Sequence, residues 1–107
     1  MSEPLLDKLY LMAQGSARRF PKGVDPYQMA TRLLEECGEV ASQVNHFEDS
    51  GIKRMKYGEP SREALAGEIK QAMAALAQIA VYYGVQSELE QSIDASIQRL
   101  REEHLIE

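Results

Sequence analysis

The chain has a single cysteine, Cys37, among its 107 residues. One cysteine makes no internal disulfide, cannot form a four-cysteine zinc site, and suits a reducing cytoplasm. No run of eighteen apolar residues occurs, which argues against a transmembrane helix. The N-terminal leucines stand beside Glu3 and Asp7 and follow no basic region, so they do not read as a secretory signal. No stretch alternates apolar and polar residues long enough to make a strand. There is no internal repeat and no low-complexity tract. Positive charge is in deficit, with 12 Lys and Arg against 17 Asp and Glu and a net charge of −5. That balance argues against general nucleic-acid binding and leaves a metal–phosphate ligand open. Aromatic residues make up only 7% of the chain, against 44% hydrophobic and 27% charged. This is the composition of an ordinary soluble globular protein, and the length is that of one domain, residues 1–107.

What is present is helical periodicity. Leu5, Leu6, Leu9, Tyr10, Met12, Ala13 and Ala17 recur at three and four residues, predicting a helix from about Glu3 to Arg19 with Ser2 as its cap. Phe20-Pro21-Lys22-Gly23 ends it. Asp25-Pro26 opens a second helix of roughly 24 residues. Its apolar stripe is Ala30, Leu33, Cys37, Val40, Ala41, Val44 and Phe47, with Gly51 as its stop. Ile52 to Pro60 reads as a connection. A third helix runs from Pro60-Ser61 to Tyr83, with Gly84 past its end and Leu65, Ile69, Ala72, Met73, Leu76, Ile79, Ala80 and Tyr83 as its buried row. Its many alanines predict close approach of neighbouring helices. Ser87-Glu88-Leu89-Glu90 has the spacing of a capping box. Leu89, Ile93, Ile97 and Leu100 follow as the buried row of a last helix. The expected architecture is all-α, an antiparallel bundle of about four helices completed by oligomerisation.

One stretch concentrates charge, Leu33-Leu34-Glu35-Glu36-Cys37-Gly38-Glu39-Val40-Ala41. At about 100° per residue, Glu39 lies about 40° and Glu36 about 100° from Glu35, so the three carboxylates share one flank. Like charges at three and four residues repel by a few tenths of a kcal/mol per pair. Glu68, on the third helix, falls at the edge of its buried row. Were it to face Glu36 and Glu39 across a seam, their convergence would call for a cation, and a hard divalent ion with oxygen ligands fits. An ordinary wet helix face is the alternative, with Arg32 pairing Glu35 and Glu36 at three and four residues.

These residues resemble the MazG-like nucleotide pyrophosphohydrolases, whose motif is Glu-Glu-x-x-Glu on one helix and Glu-x-x-Asp on the next. Here the first element is Glu35-Glu36-Cys37-Gly38-Glu39 and the second is Glu68-Ile69-Lys70-Gln71, within a resemblance covering roughly Asp25 to Tyr83. It implies an all-α fold assembled as a homodimer or a dimer of dimers. It also implies hydrolysis of a nucleoside triphosphate to the monophosphate and pyrophosphate with Mg²⁺, or Mn²⁺ in its place. By position, Glu36, Glu39 and Glu68 would ligate the metal, and Glu35 would orient or deprotonate the attacking water. The sequence departs from the motif at Gln71, where the family has aspartate. An amide oxygen can ligate Mg²⁺ but brings no charge, so Gln71 is a weak ligand and metal affinity falls. A non-catalytic nucleotide-binding or protein-interaction module is the rival reading.

Lys53, Arg54 and Lys56 are candidate contacts to a triphosphate, with a solvated loop as the alternative. Arg18, Arg19 and Lys22 form a second basic cluster with the same two readings. Tyr57 and Tyr82 are candidates to stack on a base. His46 and His104 are expected to be exposed, and Cys37 to pack as a small hydrophobe. Gly38, in mid-helix, suggests close helix approach beside the acids.

Overall fold

A computed structural model describes residues 4–48 and 52–107, and for 52–54 the backbone. Among the described residues there are five α-helices, one 3₁₀ turn and no strand: α1 (Leu5–Arg19), the 3₁₀ turn Pro21–Gly23, α2 (Pro26–Glu48), α3 (Ile52–Tyr57), α4 (Arg62–Tyr83) and α5 (Gln86–Glu102). No helix among them is long and apolar enough to cross a membrane.

The local chemistry sets most boundaries. Asp7 in the first turn of α1 and Arg18 and Arg19 in its last complement the helix dipole. Asp25 caps α2, its Oδ1 accepting from Tyr27 N at 2.8 Å and Gln28 N at 3.2 Å. Ser61 Oγ caps α4 by accepting from Ala64 N at 3.1 Å. Gly84, at φ 65°, takes the left-handed conformation that closes α4, and Val85 N reaches the Ala80 carbonyl at 3.0 Å. The expected Ser2 cap and Gly51 stop lie outside the described residues.

Three expectations fail locally. The Ile52–Pro60 connection contains a helix, because Ile-Lys-Arg-Met-Lys-Tyr holds no breaker until Gly58, which sits at φ 81°. His46 is half-buried rather than exposed. Its Nε2 donates to the Gly58 carbonyl at 2.8 Å, and its ring meets Tyr57 edge-on with centroids 6.3 Å apart. The capping box at Ser87 does not form either. The turn after Gly84 is so short that α5 is under way at Gln86, and Ser87 Oγ instead accepts from Gln91 Nε2 at 3.2 Å.

α4 is the central element. α1 and α2 both pack on it and hardly on each other, and α5 makes little contact with it. Leu9, Tyr10 and Ala13 of α1 are buried with Ala77 and Ala80 of α4, and Leu6, Met73, Val81 and Leu89 pack around them. Ala75 is buried as well, so the alanines of α4 do allow close packing.

The packed face of α2 is rotated from the expected stripe. Met29, Leu33, Glu36, Val40, Gln43 and Phe47 are buried or half-buried, at alternating spacings of four and three. Ala30, Cys37, Ala41 and Val44 are exposed, together with Leu34 at 74%. The apolar arc is wider than one neighbour can cover. Around Gly38 a methyl group would meet nothing within 4 Å, so that glycine marks no close contact within the chain. On α4, Ile69, Leu76 and Tyr83 are exposed, and α5 buries no residue at all. The accessible surface is 8220 Å², about 2,200 Å² more than a compact chain of this mass exposes. The radius of gyration is 16.9 Å, against about 13 Å for a compact chain of this length.

Candidate functional site

Because α1 and α2 lie on α4 without closing on each other, a cavity of about 450 Å³ remains between the three helices. Gly15, Ala13, Ala74 and Ala75 line it and leave its space unfilled. Its polar walls are Ser16 and Arg19 from α1, Arg32 and Glu36 from α2, and Gln71 and Gln78 from α4. Met12 and Phe20 supply apolar surface. The volume lies in the range of about 300–1,000 Å³ that small-molecule sites occupy. A second, more open hollow of about 510 Å³ shares Phe20 and Arg32 and is lined by Glu35, Tyr27, Gln28 and Thr31.

Of the residues singled out from the sequence, Glu36 and Gln71 come together at the first cavity, one from each half of the motif. Glu35 opens on the second hollow, with Arg32 common to both. Glu39 is exposed and lines neither cavity. Glu68 is half-buried on α4, one turn before Gln71 and likewise outside the lining. Among the described residues, no three His, Cys, Asp or Glu side chains are arranged to hold a metal ion. Lys56 is exposed, its Nζ 5.6 Å from the Tyr57 ring centroid, and the side chains of Lys53 and Arg54 lie outside the described residues. Cys37 is exposed rather than packed. Tyr83 is exposed too, its ring edge-on to Tyr82 at 4.9 Å.

Among the described residues, the cations lining the cavity are Arg19 and Arg32. Arg19 had stood out only as part of a basic cluster. Gln78 had not stood out, though a signal exists: it is the one polar side chain in the run Ala72 to Ala80. The residue is 8% exposed, and among the described residues no hydrogen bond engages its amide.

Chemically, two guanidiniums beside a carboxylate and a carboxamide suit an anionic ligand that carries its own cation. Guanidiniums bind phosphate or carboxylate oxygens in a bidentate fork. Mg²⁺ commonly takes one or two protein oxygens and completes its shell with water and substrate phosphates. Glu36 and Gln71 fit that sparse mode, not a closed cage of carboxylates. No family model, curated protein or solved structure matches the chain.

Proposed function

We propose that the chain is a MazG-like, Mg²⁺-dependent nucleoside triphosphate pyrophosphohydrolase, working in the cytoplasm as a homodimer or homotetramer. The observation that carries the reading is the common cavity of Glu36 and Gln71, with Arg19 and Arg32 in the same walls. Bound Mg²⁺, or Mn²⁺, supplies the charge that neutralises phosphate oxygens. Glu36 and the Gln71 amide oxygen are the donors that would hold it, with Glu39 and Glu68 on the same two helices. Arg19 and Arg32 grip and orient the phosphates. Glu35, on the other side of Arg32, has the chemistry to orient a water or accept its proton as that water attacks phosphorus and pyrophosphate leaves.

The test is pyrophosphate release from a panel of ribo- and deoxyribonucleoside triphosphates with Mg²⁺ or Mn²⁺. Turnover is expected, lost in Glu36→Gln and raised in Gln71→Asp, which restores the missing charge. No turnover in either the wild type or Gln71→Asp would sink the enzymatic reading. A non-catalytic nucleotide-binding or protein-interaction module is then the better reading. It is favoured by Glu39 standing outside the cavity and by Gln71 bringing no charge. Titration calorimetry separates its two forms, since only a nucleotide-binding module takes up Mg²⁺–nucleotide.

Self-association belongs to the same reading. The exposed apolar flank of α2 (Ala30, Leu34, Cys37, Ala41 and Val44) continues in kind on α4 and α5. The roughly 2,200 Å² of excess surface exceeds the ~800 Å² per partner of a standard interface and suits an obligate one. A second copy is the occupant that reading assigns to it.

A further inference from the structure

The geometry points to Gln78 as the residue that reads the base of a nucleotide held between α1, α2 and α4. Gln78 is 8% exposed, lines the cavity, and has no hydrogen bond to its amide among the described residues. Neither amide atom of Gln78 is among the fully buried, unpaired ones, so the group keeps access to water from the cavity it lines. A ligand that displaces that water must pair with the amide in its place. The amide offers one acceptor and two donor hydrogens. It therefore pairs with a planar edge that sets an acceptor beside a donor, which is what the hydrogen-bonding edges of nucleobases present and phosphates and sugars do not.

The surroundings suit a flat ring. Ala13, Ala74 and Ala75 in the same walls leave width, and Met12 and Phe20 give apolar faces. Gln78 stands seven residues beyond Gln71 on one helix, about 10 Å along its axis. The two amides of α4 at the cavity, Gln71 in the proposed metal–phosphate set and Gln78, are thus spaced to meet the two unlike ends of an elongated ligand, not a simple ion. This proposal deepens the pyrophosphohydrolase reading and rests on it for the identity of the ligand as a nucleotide. It does not depend on turnover.

The experiment is titration calorimetry of the full chain with the four common nucleoside monophosphates, ribose 5-phosphate and inorganic pyrophosphate, in the wild type and in Gln78→Leu and Gln78→Met. At least one monophosphate is expected to bind tenfold or more tightly than ribose 5-phosphate. In either variant that preference should shrink to within about twofold, while pyrophosphate affinity stays unchanged. Circular dichroism checks the fold of both variants. If neither folds, the assigned side-chain amide signal of Gln78 in the wild type must shift with the preferred monophosphate and stay put with pyrophosphate. A base preference that survives in a folded variant, a Gln78 signal indifferent to nucleotide, or monophosphates that bind no better than ribose 5-phosphate overturns the proposal. Base preference that depends on Gln78 without any triphosphate turnover refutes the enzymatic reading and leaves this one standing. Turnover whose base preference is untouched by Gln78→Leu does the reverse.

Discussion

Replacing Leu34 by aspartate separates a chain that stands alone from one that pairs with itself. Leu34 is 74% exposed in the single chain, so in a monomer the change is a surface substitution worth within about ±0.5 kcal/mol. In an assembly that covers the α2 flank, the same side chain is buried. Full burial of a leucine contributes about 1.5–3 kcal/mol, and three-quarters of it remains to be gained here, about 1–2 kcal/mol per copy. A two-fold dimer uses the site twice, giving about 2–4 kcal/mol, or roughly a 30- to 1,000-fold weaker dissociation constant. An aspartate forced into the same contact adds a desolvation penalty, so the figure is a lower bound. Sedimentation equilibrium over a wide concentration series measures it. The wild type should run as a dimer or tetramer and Leu34→Asp should dissociate. A wild type that stays monomeric throughout, or a variant that associates as tightly as the wild type, refutes the reasoning.

Three further outcomes follow from single residues. The Tyr10 hydroxyl is buried without a hydrogen-bond partner, so Tyr10→Phe should stabilise by about 1 kcal/mol in urea unfolding. Burial first, then the negative charges of Glu90 and Asp7, raise the Tyr10 pKa above 10.0. The fold thus disfavours ionisation of this phenol, so stability is unaffected by its titration below pH 10 and is lost as pH rises through the raised folded value. Wild type should lose stability more steeply than Tyr10→Phe between neutral and strongly alkaline pH, and parallel curves would contradict this. Asp25→Ala removes two capping bonds from α2 and should cost about 1 kcal/mol, read as a lower urea midpoint, whereas Asp25→Asn should restore most of it. Gly84→Ala places a side chain at φ 65° and should cost about 1–2 kcal/mol. An unchanged midpoint would show that the turn between α4 and α5 is not held in that conformation.

Helices were legible where local chemistry defines them. Asp25-Pro26, Ser61 and Gly84 each combine a backbone requirement with the residue that meets it, and each sits at the boundary it signals. The Ser87 box failed because the same four residues suit the inside of a first turn as well as a cap, and only the tight Gly84 turn decides between them. The face of α2 was misread for a different reason. Leu33 and Val40 belong to the seam with α4 while Ala30, Cys37 and Ala41 do not, yet both sets are apolar. Periodicity reports the breadth of an apolar arc and not how many neighbours divide it. Glu36 and Gln71 line one cavity while Glu39 and Glu68, expected to converge with Glu36, lie outside it, because spacing along each helix does not fix how the two helices are rotated against each other. Gln78 was hidden by its setting, because a single amide in an alanine-rich run looks like tolerated polarity until its burial and lack of partners are seen together.

The two flanks of α2 explain how one helix can serve two purposes. With Met29 at zero and about 100° per residue, the seam to α4 lies close to zero. Arg32 and Glu39 then fall about 60–80° to one side, with Glu35 about 120° round on that side. Ala30, Leu34, Cys37 and Ala41 fall about 80–140° to the other. Arg32 lines the cavity, so the acidic flank is the side on which α1 and the cavity lie. The apolar flank looks the opposite way. A second copy seated on Leu34 therefore approaches α2 from the side away from the space lined by Arg32, Glu36 and Gln71. On the proposed reading, ligand binding and self-association would draw on opposite halves of the same helix, so substitutions at Leu34 and at Gln78 or Glu36 should separate the two properties in solution.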